Sequence, residues 1–343
     1  MINHQSDRGD RNKGRKKTGR VWPAWHPMLA TFRYSDCRKA TWQLVNTLGS
    51  YFCLWYLMIR SIQLGYPYVT TLVLAFPAAA FLVRLFVLFH DCVHGSFFKS
   101  KHANTFFGYL FGVMVFTAFE DWRFSHLRHH VTYANLDARG FGDIWTMTRA
   151  EYEEASTARR LMYRLYCNPF VLIGLGALFM FLLSNRLPTG RTKRKERMSV
   201  LFTNLLIIAV VMAAEGVIGW RTYLLIQLPV LWFAGAAGIW LFYVHHQFEG
   251  GYWARKSEWE PLRAAMEGSS FYELPTLLRW FSGNIGYHHV HHLSPRIPNY
   301  HLLNCFKAVF EVQAKSPLTL VASFSCVRLK MWDELRQEMV AFH

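Results

Sequence analysis

Three histidine-rich clusters stand out in this chain of 343 residues: His90-Asp91-Cys92-Val93-His94, His126-Leu127-Arg128-His129-His130 and His288-His289-Val290-His291-His292. Imidazole is the commonest protein ligand of transition metals. On a helix, positions i, i+3 and i+4 share one face, with Cβ atoms about 5–6 Å apart. H-x-x-x-H therefore offers two ligands to one side, and H-x-x-H-H offers three. One such pair is weak evidence, because two histidines at that spacing are commonly surface decoration. His90 and His94 also approximate the zinc-protease pattern H-E-x-x-H, but Asp91 stands where that pattern needs a glutamate base. Multiplicity carries the argument. His90, His94, His126, His129, His130, His288, His291 and His292 occupy motif positions, and His246 is a ninth candidate at the end of an apolar run. A catalytic zinc takes three protein ligands plus water. This set is too large for one ion and suits two ions, each with about four or five nitrogens. Imidazole suits zinc, copper, iron and nickel alike, so ligand type leaves the metal open.

The elements that must position these clusters are apolar. Residues 43–64 and 68–89 are each long enough to span a bilayer core, which takes about 20 helical residues. Pro77 falls inside the second, and membrane helices tolerate this. The turn from Ser61 to Tyr68 lacks Lys and Arg, whereas the preceding arm carries Arg8, Arg11, Lys13, Arg15, Lys16, Lys17 and Arg20. That asymmetry places the N-terminus inside and returns His90 to the cytoplasmic face. Residues 105–119 are too short to span and read as a re-entrant or interfacial helix. Three apolar stretches follow, at 169–184, 198–218 and 223–244. The third cluster must return to the side of the first two, so an even number of these cross. Demoting the shortest, 169–184, leaves the basic run Arg191, Lys193, Arg194, Lys195 and Arg197 inside. The predicted fold is an all-α membrane protein with four transmembrane helices in two hairpins, interfacial helices and a cytosolic histidine-rich cap. Its divisions are a basic cytosolic N-terminal arm (1–40), a membrane domain (41–305) and a cytosolic tail (306–343).

Composition agrees with a chain shared between membrane and solvent: 52% of residues are hydrophobic and 17% charged. The formal charge of +16 invites a nucleic-acid reading. The basic residues argue against one, because many gather in runs ahead of apolar segments. The six cysteines form no C-x-x-C pair and read as reduced, packed thiols. The first apolar run begins near residue 43 behind a polar arm, so no cleavable leader is expected.

The order H-x-x-x-H, H-x-x-H-H, H-x-x-H-H, with a hairpin before the first box and another between the second and third, resembles the membrane fatty acid desaturase family. The similarity extends to Trp122-Arg123 before His126, to Asn135 and Asp137 after His130, to Gly283-Asn284-Ile285-Gly286 before His288, and to Ile297-Pro298-Asn299-Tyr300. Tyr243-Val244-His245-His246-Gln247-Phe248-Glu249 resembles the corresponding stretch of bacterial acyl-lipid ω-6 (Δ12-type) desaturases, where the second of the two central positions keeps its histidine. The resemblance runs from about residue 45 to 305. It implies a di-iron enzyme that uses O2 to insert a double bond into a long acyl chain of a membrane lipid or thioester. A methylene has no polar handle, and one methylene in a pocket is worth only about 1–3 kcal/mol. The bond position is therefore left open.

Metal-bound imidazoles usually donate their other N–H to a carboxylate or carbonyl. Asp91, Asp121, Asp137 and Glu249 are candidates, and Asn284 is either an orienting group or a turn former. His245 points away from His246 on a helix, and His289 fills a variable position within its box. His4, His26, His102, His301 and His343 belong to no cluster. There is no His-Pro-Gly-Gly haem motif and no G-x-G-x-x-G after a plausible strand. Electrons are thus expected from an external carrier of ferredoxin or cytochrome b5 type, which Arg255, Lys256 and Arg263 are placed to steer. The expected location is the bacterial inner membrane, with the site on the cytoplasmic side. Two competitors stand beside this reading. One is a histidine-box hydroxylase or ketolase acting on carotenoid, alkane or acyl substrates. The other is a non-catalytic membrane metal-binding or transport protein, which would need more ionisable groups in the spans than Arg60, Arg84 and Glu215.

Overall fold

The computed structural model describes residues 22–190 and 192–342. The basic arm at 8–20, Arg191, His4 and His343 lie outside the described residues. Helix α1 (Cys37–Gln63) starts where the Asp36 carboxylate accepts from the backbone N–H groups of Arg38 and Lys39, an N-cap that satisfies two otherwise orphaned donors. A short turn leads to α2 (Tyr68–His94), which Gly95 ends in the left-handed conformation at φ 66°. The two helices pack along their length, with a hydroxyl pair, Ser61 and Thr71, at 2.8 Å near the turn. Next come α3 (Lys101–Met114), capped by Ser100, and α4 (Phe119–Thr132). A second long hairpin joins α5 (Arg194–Ile218) to α6 (Trp220–His246) through Gly219. After α6 the chain forms loops and short helices, among them α7 (His288–Leu293) and α8 (Asn299–Ala308).

Among the described residues three helices, α2, α5 and α6, are long and apolar enough to cross a membrane. α5 is the plainest case. Leu201, Leu205, Ile208, Met212 and Val217 are all exposed along it, which suits lipid and not water. α1, read from the sequence as a span, is not among the three. Its polarity is turned inward, since Gln43, Thr47 and Ser61 are buried while Val45, Phe52 and Leu57 are exposed. Polar groups packed against neighbouring helices lower the average without wetting the outer face.

The stretch demoted as too short is helical but broken. Phe170–Arg186 bends by 67° from Thr157–Tyr166 and carries two wide π-helical turns. It leans on α6 at Gly235, where a Cβ would come within 3.0 Å of the Ala177 Cβ and 3.1 Å of the Phe181 ring. The all-α expectation needs one correction. Met331–Asp333 pairs parallel with Met147–Thr148 and antiparallel with Glu338–Val340, and Phe271–Glu273 pairs parallel with Pro317–Thr319. These strands are two or three residues long, too short to leave a periodic trace in sequence.

The core is divided. One apolar cluster lies between α1, α2, α3 and α6. Another joins Leu29, Val290, Ile297, Leu302 and Val309 beneath the third histidine box. Leu29, inside the segment expected to be an arm, is fully buried there. The backbone ahead of α7 is fixed by two local features. Asn284 adopts φ 60° and donates from Nδ2 to the Asn299 carbonyl at 3.2 Å, which makes it a turn former. Gly286 accepts from the Tyr272 N–H so closely that a Cβ there would lie 2.3 Å from the Tyr272 carbonyl oxygen. Gly286→Ala should therefore destabilise the protein by roughly 1–3 kcal/mol, read as a lower melting temperature in detergent. An unchanged midpoint would show that this contact does not hold α7 in place.

Candidate metal centre

Four segments far apart in sequence bring their histidines to one place. α2 supplies His90 and His94 from its last two turns. α4 supplies His126, His129 and His130 from one face. α6 ends on His246, and the six-residue α7 carries His288, His291 and His292. All nine rings point the same atom inward. The Nε2 atoms of His90 and His291 are 3.0 Å apart, as are those of His94 and His126 and those of His130 and His291, and His126 and His130 are at 3.1 Å. In a second group, Nε2 of His246 lies 3.2 Å from that of His129 and 3.1 Å from that of His288, which is 3.1 Å from that of His292. The first group is His90, His94, His126, His130 and His291, with all five donor atoms within 4.8 Å of one another. His129, His246 and His292 meet the same condition, and His288 completes the second group through His246 and His292. The groups adjoin where the His130 and His292 rings approach to 4.4 Å between centroids.

The donor spacing itself tests whether ions fit. Imidazole nitrogens bound at about 2.1 Å and at right angles lie about 3.0 Å apart, close to the spacings in both groups. Burial favours the form a metal needs. It holds His126, His130, His288, His291 and His292 well below the usual imidazole range, with neighbouring imidazoles adding to the effect. These rings are neutral at pH 7 and keep a lone pair.

The outer ring atoms are held selectively. Asp143 Oδ1 accepts from His129 Nδ1 at 2.6 Å, and its other oxygen accepts from the backbone N–H groups of Gly140 and Phe141. Asp91 lies 3.3 Å from His90 Nδ1 and is fixed by the Asn299 N–H at 2.7 Å and Asn299 Nδ2 at 2.8 Å. Trp122 stacks on His126 at 4.2 Å, and His245 stacks on His288 at 4.1 Å.

Of the carboxylates suggested by sequence, only Asp91 reaches a ring. Asp121 accepts from Thr189, Asp137 binds Arg255 and the Lys256 N–H, and Glu249 is exposed. Asp143 was not anticipated. It sits in an irregular Gly-Phe-Gly-Asp turn with no helical spacing to the histidines, and its only signal is the pair of glycines that frees the turn. His246 turns Nε2 into the second group, whereas His245 is buried beside it as a stacking partner. His289 points away and faces the Val312 carbonyl at 3.0 Å. His26, His102 and His301 lie outside both groups. The steering cations are largely spoken for, since Arg255 is forked onto Glu334 and Arg263 onto Glu267.

Fold and site together define a histidine-cluster protein whose long apolar helices have the composition of membrane spans. The model of the fatty acid desaturase family matches residues 66–324. A fatty acid desaturase from Bacillus subtilis (strain 168) is 43% identical over 314 residues, covering 92% of this chain and 89% of that protein. Similarity is lower to the sn-1 oleoyl-lipid 12-desaturase of Synechocystis sp., 27% over 64% of this chain and 63% of that protein. The sn-1 acyl-lipid omega-3 desaturase (ferredoxin) of Nostoc sp. is 28% identical over 67% and 65%. The chain belongs to the fatty acid desaturase family and is a desaturase, an oxidoreductase of lipid metabolism.

Asp143→Ala should weaken metal retention by about 10–100-fold while the protein stays folded, measured by metal content after graded chelation. Retention equal to wild type would remove Asp143 from any orienting role.

Proposed function

We propose that this protein is an oxygen-dependent di-iron desaturase that places a double bond in a long acyl chain of a membrane lipid, at a Δ12 or ω-6-like position. The observation that carries the reading is the gathering of nine imidazole Nε2 atoms into adjoining groups of five and four. In this reading His90, His94, His126, His130 and His291 hold one iron, and His129, His246, His288 and His292 hold the other. Bound iron would supply the redox chemistry by which O2 is reduced to two waters, two hydrogens coming from adjacent methylenes and two electrons with two protons from the external carrier and solvent.

The chain's own residues do the rest. Asp143 keeps the proton of His129 on Nδ1, so Nε2 faces inward with its lone pair. Asp91 does the same for His90. Burial of the rings excludes bulk water from the reacting centre. The 12-position is supported by the oleoyl-lipid relative and by the Tyr243–Glu249 stretch.

Four spans, α1 with α2 and α5 with α6, put both groups at one membrane face, and Phe170–Arg186 is then re-entrant. The apolar outer face of α1 and the inward turn of its polar residues support that count. The cytoplasmic side of a bacterial inner membrane follows from the positive-inside asymmetry. Electrons come from an external carrier of ferredoxin or cytochrome b5 type. The Nostoc relative, named as a ferredoxin desaturase, favours the first.

Expression in a host lacking polyunsaturated lipids, with localisation of double bonds in the fatty acids, tests the reading. The expected product is two hydrogens lighter than its precursor. A product heavier by one oxygen would assign the protein to the hydroxylases. His129→Ala or His291→Ala should abolish the new product while membrane insertion persists, and activity retained in either would overturn the ligand assignment.

A further inference from the structure

One cavity on the protein is lined by cations that the site described above does not use. Its volume is about 300 Å³, and its lining includes Lys39, Arg84 and Arg279 but no Asp or Glu. That size accommodates a small ligand. α1 contributes Lys39, Trp42, Gln43 and Asn46, the i, i+3, i+4, i+7 positions of a single helix face.

Arg84 is only 3% exposed. Its Nε donates to Thr47 Oγ1 at 3.2 Å, its Nη1 donates to the Trp280 carbonyl, and its guanidinium lies 4.0 Å from the Trp280 ring centre. Neither hydrogen-bond acceptor is an anion, and Nη2 has no partner among the described residues. Neither Arg84, Arg279 nor Lys39 forms an ion pair among the described residues. The nearest acid along α1, Asp36, is engaged with the backbone N–H groups of Arg38 and Lys39. A buried cation with no anion is costly. Three cations around one cavity are completed by a ligand that brings negative charge, and guanidinium and ammonium groups both suit phosphate oxygens.

A second, independent feature narrows the ligand. Gln43 Nε2 donates to Asn299 Oδ1 at 2.8 Å, and its Oε1 is buried with no donor. The site thus offers one acceptor for a hydroxyl or N–H beside its cations. The surroundings set the depth. Of the lining residues Trp42 is 68% exposed and Trp280 is exposed as well, and Leu277 and Leu278, close to Trp280 in sequence, are exposed too. Exposed tryptophan is the anchor of a membrane–water boundary. Arg84 lies six residues before His90 on α2, about 9 Å along the axis.

We propose that this cavity holds the phosphate of an anionic glycerophospholipid headgroup, the lipid whose acyl chain is presented for desaturation. The proposal rests on the acyl-lipid reading above and names its headgroup. Phosphatidylglycerol fits, because its phosphate meets the cations and its glycerol hydroxyl meets Gln43 Oε1. Phosphatidylcholine brings the same phosphate, but its trimethylammonium adds a positive charge beside the three cations and has no hydrogen to donate to Gln43 Oε1.

The test uses purified, metal-loaded full-length protein and measures lipid retention by native mass spectrometry, with phosphatidylglycerol and phosphatidylcholine of identical acyl chains in competition. Wild type should retain phosphatidylglycerol about tenfold or more in preference. The double variant Lys39→Gln/Arg279→Gln, altered at two partly exposed positions, should lose that preference while keeping its metal. Arg84→Lys keeps the charge without the fork and should fall between the two. Equal retention of both lipids by wild type, or an unchanged preference in the double variant, overturns the proposal. Displacement of bound phosphatidylglycerol by millimolar inorganic phosphate or by free coenzyme A also overturns it, in favour of a soluble phosphate ligand. Retention needs no turnover, so protein that selects phosphatidylglycerol yet makes no double bond supports the headgroup site and counts against the desaturation reading.

Discussion

The structure is organised around the convergence of ring nitrogens that have no reason to meet on their own. Neutral imidazoles with Nε2 atoms 3.0–3.2 Å apart compete for the same protons, and burial denies them water as an alternative. Four separate segments must nevertheless be held so that these atoms face one another. α2 and α6 bring two of them to the same end of the helical body, because each is a long helix that finishes on its histidines. α4 and α7 are short and cannot fix themselves, so packing around them does the work. Tyr133 below α4 donates to the His246 carbonyl at 3.0 Å and ties the second box to the end of α6. α7 sits on the apolar cluster that includes Val290 and Ile297.

A ring of polar supports surrounds the histidines, and its members are coupled. Asn299 donates twice to Asp91, which faces His90, and it accepts from Gln43 on α1. One side chain thereby links the first helix, the first histidine box and the segment after the third. Asp143 is the counterpart on the other group, held by the turn it closes. Arranged this way, the geometry of each group depends on hydrogen bonds that themselves lie outside it.

Much of this was legible in the sequence, and the limits have physical causes. Histidines spaced i, i+3 and i+4 announce a shared helix face because that relation is local. The hairpins are visible because runs of apolar residues have few other uses. Asp143 was hidden, since a turn placed against a distant helix leaves no periodic signal. The inward polarity of α1 was hidden as well, because hydropathy averages over a helix without knowing which side faces its partners. Asp121 and Asp137 looked suitable by proximity in sequence, but a carboxylate five or seven residues from a box can point to a loop as easily as to a ring. The helix at 170–186 reads as one apolar run, and neither its 67° angle to Thr157–Tyr166 nor its π-helical turns leave a periodic mark.

His90 and His291 meet across 201 positions of sequence. Contacts this remote close late, because the loop entropy must be met before they return anything. During synthesis, α2 and α4 emerge with their imidazoles exposed to each other but without the partners that finish either group. Neither group can close until α7 has been made. A product ending before residue 288 would carry apolar hairpins with four of the first group's five rings and two of the second group's four, and so no completed centre.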